Sequence, residues 1–198
     1  MLLSKQLCSF SIFRTGIRLP IRPFRMASSF LPPSIHEIAV EVSSILKVRS
    51  ETVCVAETAA GGLISAAILS TPGASKVYKG GLTLYTLESR IAFAGWTEET
   101  RAAYKGPTED VVKGLAENVR RTLGATYCVC ESGTAGPTGG NTRNRTPGYV
   151  ALAVAAERGT STKEVETGLG GDREGNMVAF AVEGLKLLRD VIKGDAKL

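Results

Sequence analysis

Ile35, Ile38, Ala39, Val42, Ile45 and Leu46 recur at helical spacing, so the chain predicts a first helix over about 35–47. Ser34-Ile35-His36-Glu37 reads as a capping box, with Ser34 as N-cap and Glu37 three residues on. The period then changes. The run 52–56, Thr-Val-Cys-Val-Ala, is short, apolar and β-branched, as a buried strand would be. It ends at Glu57-Thr58-Ala59-Ala60-Gly61-Gly62, after which 63–69 reads as a helix stopped by Pro72-Gly73. A second strand is expected over 81–86. Pro107-Thr108 opens another helix, with Thr108 as N-cap and Glu109 and Asp110 in the first turn, where carboxylates suit the helix dipole; it closes near Leu123-Gly124. A third strand over 126–130 runs into a glycine-rich stretch, 131–140. Strands are also expected over 148–154 and 163–167. A last helix opens at Gly171-Asp172-Arg173 and runs to about Ile192, with Val178, Ala181, Val182, Leu185 and Leu188 on one face.

Strands and helices alternate, which predicts an α/β fold: three layers, α/β/α, around a mostly parallel central sheet. The last two strands follow each other closely enough to pair antiparallel. A single domain over 34–193 is of ordinary size. A hydrophobic content of 43% supports a core.

Charge changes the picture at one end only. The 198 residues carry 24 Lys+Arg against 19 Asp+Glu, a net charge of +5. Lys5, Arg14, Arg18, Arg22 and Arg25 lie in the first 25 residues, which hold no acid, so the rest carries 19 of each sign. A neutral body with 6% aromatic residues argues against a nucleic-acid partner. No apolar run nears the ~18 residues of a membrane helix, so no membrane partner is expected. Residues 1–26, rich in Arg and Ser, have the composition of a mitochondrial transit peptide. The alternative is a cytoplasmic chain whose translation starts at Met26. Cys54, Cys128 and Cys130 sit in apolar runs, with neither CxxC nor histidine partners for zinc, and read as buried thiols.

In such sheets ligands bind beyond the carboxyl ends of the strands. Two strands end in glycine-rich loops there, 57–62 and 132–140. A helix begins just after Gly61-Gly62, so its N-terminus is placed to hold a phosphate or an oxyanion. His36, the one histidine, lies in the first helix away from every strand end, which argues against a Ser-His-Asp or Cys-His mechanism.

Four ordered motifs now carry a resemblance. Glu57-Thr58-Ala59-Ala60-Gly61-Gly62 is similar to a Glu-Ser-Cys-Thr-Gly-Gly loop. Tyr85-Thr86-Leu87-Glu88-Ser89-Arg90 is similar to Tyr-Ser-Asn-Glu-Ala-Lys. Gly133-Thr134-Ala135-Gly136-Pro137 is similar to Gly-Ile-Ala-Gly-Pro, and Gly171-Asp172-Arg173 matches Gly-Asp-Arg. Together they resemble the C-terminal domain of the CinA family, the competence/damage-inducible proteins, over about 35–190. Stand-alone bacterial members are nicotinamide-nucleotide amidases. The resemblance implies hydrolysis of the carboxamide of nicotinamide mononucleotide to nicotinate mononucleotide and ammonia. It implies Thr58 as the nucleophile, with Tyr85 and Arg90 beside it, and no cofactor or metal. Glu57, Gly61, Gly62, Gly133, Thr134, Ala135, Gly136, Arg145, Asp172 and Arg173 would bind the nucleotide. A homo-oligomer is compatible with this and is not specified by the sequence.

The chain also departs from the motif. Threonine replaces serine at Thr58, alanines replace two polar residues at Ala59 and Ala60, Leu87 replaces asparagine, and Arg90 replaces lysine. Arginine stays protonated and cannot serve as a base. The alternative is therefore a catalytically impaired member that binds a pyridine nucleotide. Residue by residue, a second role stands open: Glu57 and Asp172 as helix caps, Tyr85 as a packing residue, Arg90 as a solvated helix charge, and Arg143 and Arg145 as loop charges.

Overall fold

The computed structural model describes residues 30–197. The basic segment 1–26, with its expected transit-peptide character, lies outside the described residues. The described residues from Leu31 onward form one compact unit.

Helix α1 is Pro33–Arg49, β1 Val53–Glu57, α2 Leu63–Leu69, β2 Tyr78–Thr83, α3 Leu87–Phe93, α4 Glu98–Ala103, α5 Glu109–Leu123, β3 Tyr127–Gly133, β4 Tyr149–Ala156, β5 Gly159–Glu166 and α6 Arg173–Lys193. The five strands form one sheet in the order β2-β1-β3-β4-β5. β2, β1 and β3 run parallel, and β4 pairs antiparallel with both β3 and β5. Four strands therefore point one way, and β4 alone runs against them. The short link 157–158 between β4 and β5 dictates that reversal, because parallel neighbours need a crossover of about a dozen residues.

Alternation along the strands sorts the core into two faces. Val53, Val55, Val129, Val150, Leu152 and Val154 face one layer, buried against Ile35, Val42 and Leu46 of α1, Ile64 of α2, and Phe180, Leu185 and Leu188 of α6. Cys54, Ala56, Cys128, Cys130, Ala151, Ala153 and Ala155 face the other, under Val112, Leu115, Ala116 and Val119 of α5. Cysteine and alanine on this second face let α5 lie close to the sheet. The three thiols are free and buried, as the sequence predicts.

Several boundaries differ from the sequence pattern. Helix α1 begins at Pro33, and its N-cap residue is Pro32, with no side-chain cap bond. Proline fits the first turn, where an N–H has no partner, so Ser34 lies inside the helix and no capping box forms. Strand β2 lies three residues earlier than expected. Tyr78–Thr83 pairs with β1, whereas Thr86 is the N-cap of α3 and accepts a bond from Ser89 N. Strand β3 runs on to Gly133, because Glu131, Ser132 and Gly133 pair with Leu152, Ala151 and Val150. Thr108 caps α5 as predicted, accepting from Val111 N.

Candidate functional site

Strand β1 lies between β2 and β3, and the chain leaves its carboxyl end for α2 on one face while β2 leads to α3–α5 toward the other. Such a switch point opens a crevice beyond the strand ends. Register decides what stands there. Ala56 is opposite Cys130 in the parallel β1–β3 pair, so Glu57 and Thr58 continue beside Glu131 and Ser132. The Thr58 hydroxyl donates to Ser132 Oγ at 3.2 Å, and both residues are buried, 3% and 1% exposed.

Two carboxylates consume the backbone donors of this turn. Glu57 is fully buried. Its Oε2 accepts from the N–H groups of Gly62 and Ile64 at 3.0 and 2.9 Å, and its Oε1 from the N–H and hydroxyl of Ser65 at 2.9 and 2.7 Å. These are the amides that an external phosphate would have used at the start of α2. Glu57, expected among the binding residues, is the cap of α2, and the helix terminus is not an open anion site. Gly62 permits this turn with φ of 103°, a conformation that side chains avoid.

Glu131 mirrors it from β3. Its Oε1 accepts from Thr58 N at 2.6 Å and Ala60 N at 2.7 Å, while its buried Oε2 has no partner among the described residues. Burial pushes its carboxyl up and the neighbouring Glu57 charge adds to this; the amides of Ala60 and Thr58 and the Arg90 charge pull it down, leaving it at about 7. The sequence pattern puts Glu131 in the glycine-rich stretch after β3 and gives it no role. The signal was present: Tyr127, Val129 and Glu131 alternate, so an acid continues an inward-facing row.

Arg90 is neither solvated nor turned outward. It is 4% exposed, its guanidinium lies 5.0 Å from the ring centres of Trp96 and of Tyr104, and its Nε donates to Leu84 O at 3.2 Å. Its Nη1 is buried without a partner among the described residues. Tyr85, in contrast, is exposed, and its hydroxyl accepts from Arg173 Nη2 at 3.3 Å. Arg173 Nη1 also donates to Gly136 O at 2.8 Å, so one guanidinium joins the loop after β2 to the loop after β3. Within that second loop, Thr134 N donates to Tyr149 O and the Thr134 hydroxyl to Asn144 O, and buried Asn176 donates to Ala135 O.

The structure thus gathers Thr58, Gly61, Gly62, Tyr85, Arg90, Gly133, Thr134, Ala135, Gly136 and Arg173 at the carboxyl end of the sheet. Arg145 is exposed on an adjoining cavity of about 290 Å³ that Gly133, Thr134 and Tyr104 also line. Arg143 is taken by Glu164 and Glu166 and lies over Tyr149. Among the described residues no cluster of acids, cysteines or histidines suits a metal ion, and no helix is long and apolar enough to cross a membrane.

Asp172, expected to contact ligand, is exposed and accepts from Gly175 N at 3.1 Å as the N-cap of α6. Asp172→Ala is expected to cost about 1 kcal/mol and to lower the melting temperature by roughly 2–4 °C. Calorimetric titration with nicotinamide mononucleotide should show unchanged affinity; a tenfold loss with an unshifted melt would establish a ligand-contact role instead.

The family model for the CinA C-terminal domain matches residues 35–192. A CinA-like protein of Prochlorococcus marinus is 34% identical over 156 residues, 79% of this chain and 35% of the relative. One from Anaeromyxobacter dehalogenans is 38% identical over 144 residues, 73% of this chain and 35% of the relative. The chain thus spans about a third of the length of the curated relatives it matches. Among solved structures, the competence/damage inducible protein CihA from Agrobacterium tumefaciens superposes with a TM-score of 0.76 at 26% identity, covering 84% of this chain and 99% of that one. The chain therefore belongs to the CinA family, matching its C-terminal domain.

Proposed function

We propose that this domain hydrolyses the carboxamide of a pyridine nucleotide, nicotinamide mononucleotide or a close relative, releasing ammonia. The observation that carries the reading is the Thr58–Ser132 hydroxyl pair at the switch point, with Thr58 at the motif position of the nucleophile. Acyl transfer by a hydroxyl needs that oxygen fixed and its proton given a path. Here Ser132 fixes the oxygen. Arg90, cationic and with an unpartnered N–H, supports charge neutralisation at the same end of the sheet.

The test is ammonia release from nicotinamide mononucleotide by the purified full chain. Thr58→Ala should lower kcat on the order of 1,000-fold or more with KM little changed, since removing a nucleophile acts on the chemical step. No release above that of the alanine variant would sink the reading.

One observation favours a second reading, a nucleotide-binding protein without turnover. Glu131 already occupies the amides of Thr58 and Ala60, which would otherwise be placed to stabilise an oxyanion. Calorimetric titration would then show binding of the nucleotide while ammonia stays at background.

A further inference from the structure

Glu131 stands beside the hydroxyl pair, and neither the sequence motifs nor the family resemblance gives it a role. It is fully buried on β3. One oxygen is spent on Thr58 N and Ala60 N, and the other has no donor among the described residues. A buried carboxylate oxygen left without a donor costs free energy, and a catalytic role is one reason for a fold to keep it. Its Oε1 is 2.6 Å from the amide of Thr58, the residue that also carries the candidate nucleophile hydroxyl. The charged groups acting on it are the Glu57 carboxylate at the end of β1 and the Arg90 guanidinium from α3, while the Cys130 thiol, next to it in sequence, points to the opposite face of the sheet.

We propose that Glu131 is the general base of this site, its free Oε2 taking the proton of Thr58 as Oγ1 attacks the carboxamide carbon; this rests on the amide-hydrolysis reading above. The Thr58 hydroxyl, which donates to Ser132 in the resting geometry, turns its proton to Oε2 directly or across one water. An Oγ1–carbon bond forms and the proton resides on Glu131. The carbon–nitrogen bond then breaks as Glu131 returns that proton to the leaving nitrogen, and ammonia departs. Water attacks the resulting ester and gives a proton to Glu131, which passes it to Thr58 Oγ1 as the acid leaves. Amide and water enter, acid and ammonia leave, and both side chains end as they began. The carboxyl's raised pKa of about 7, caused first by burial, suits proton exchange at neutral pH. Activity should rise as pH increases through that value, because the base acts when ionised.

The experiment uses the full chain, wild type and Glu131→Gln, with nicotinamide mononucleotide as the probe. Glutamine keeps a carbonyl oxygen for the two amides, and Thr58 and Ala60 amide resonances that stay still with pH and match those of the protonated wild type would verify an intact turn. The expected result is a loss of about 100-fold or more in kcat with KM within about threefold, and disappearance of the pH limb near 7. In the wild type the amide shifts of Thr58 and Ala60 should titrate with a midpoint near 7. A wild type that releases ammonia alongside a glutamine variant within threefold of it would overturn the base role and leave the hydrolysis reading standing. Amide shifts flat from pH about 5.5 to 8.5 would overturn it without recourse to any variant. Failure of the wild type to release ammonia would sink the hydrolysis reading, and the base role with it.

Discussion

Glu57→Ala is expected to destabilise the domain on the order of 4 kcal/mol, the largest loss for any single side chain at the strand ends. The carboxylate is fully buried and satisfies three backbone N–H groups at the start of α2, plus the Ser65 hydroxyl. Bonds to a charged acceptor contribute about 1.5–3 kcal/mol each, and an orphaned buried donor costs about 1–3. These terms do not add fully, because water can re-enter beside the half-buried Gly62 and Ser65. Urea unfolding followed by circular dichroism would measure the effect as a fall in midpoint at unchanged slope. A loss under 1 kcal/mol would show that α2 does not depend on this cap. Glu57→Gln should fall between, since its amide nitrogen presents hydrogens to donors.

Gly133→Ala is expected to cost about 3 kcal/mol and to disturb the second loop. A methyl at this position would stand 2.7 Å from Tyr149 O and 2.8 Å from the Phe180 ring. Overfilling a packed interior costs roughly 1–3 kcal/mol, and more where the obstacle cannot move. Phe180 can turn aside, but Tyr149 O is backbone and accepts the Thr134 N–H at 2.8 Å. The displaced chain is the one leading to Thr134, Ala135 and Gly136. Thermal melting would register the destabilisation. Adding Phe180→Ala should restore little of it, because the backbone clash remains and a cavity is added. Full recovery in that double variant would place the whole cost on the ring.

Much of the architecture is legible in the sequence because burial on both faces of a sheet writes continuous apolar runs. The 52–56 and 148–154 runs mark β1 and β4, and Thr108 and Gly124 mark the ends of α5. The misplacements have physical reasons. Strand β2 is an edge, half-exposed and carrying Gly80 and Gly81, so its apolar signal is weak and the eye slides to Leu82–Leu84. The end of β3 looks like loop because glutamate, serine and glycine are poor strand formers; pairing with β4 overrides that preference. The gathering of Thr58, Tyr85, Gly133 and Arg173 was legible from motif order. What each does with its polar atoms was not, since that depends on partners distant in sequence. Glu57 reaches only eight residues along the chain, whereas the partner that takes the amides of Thr58 and Ala60 lies more than seventy residues away.

Cys54, Cys128 and Cys130 have a consequence of their own. All three are fully shielded in the middle of the sheet, and burial drives the Cys128 and Cys130 thiols well above their usual range. A thiol reacts as its thiolate, so Cys128 and Cys130 are chemically silent while α5 covers them, and Cys54 is shut off from reagents by the same burial. An alkylating reagent that modifies them therefore times the lifting of α5 from the sheet face it covers.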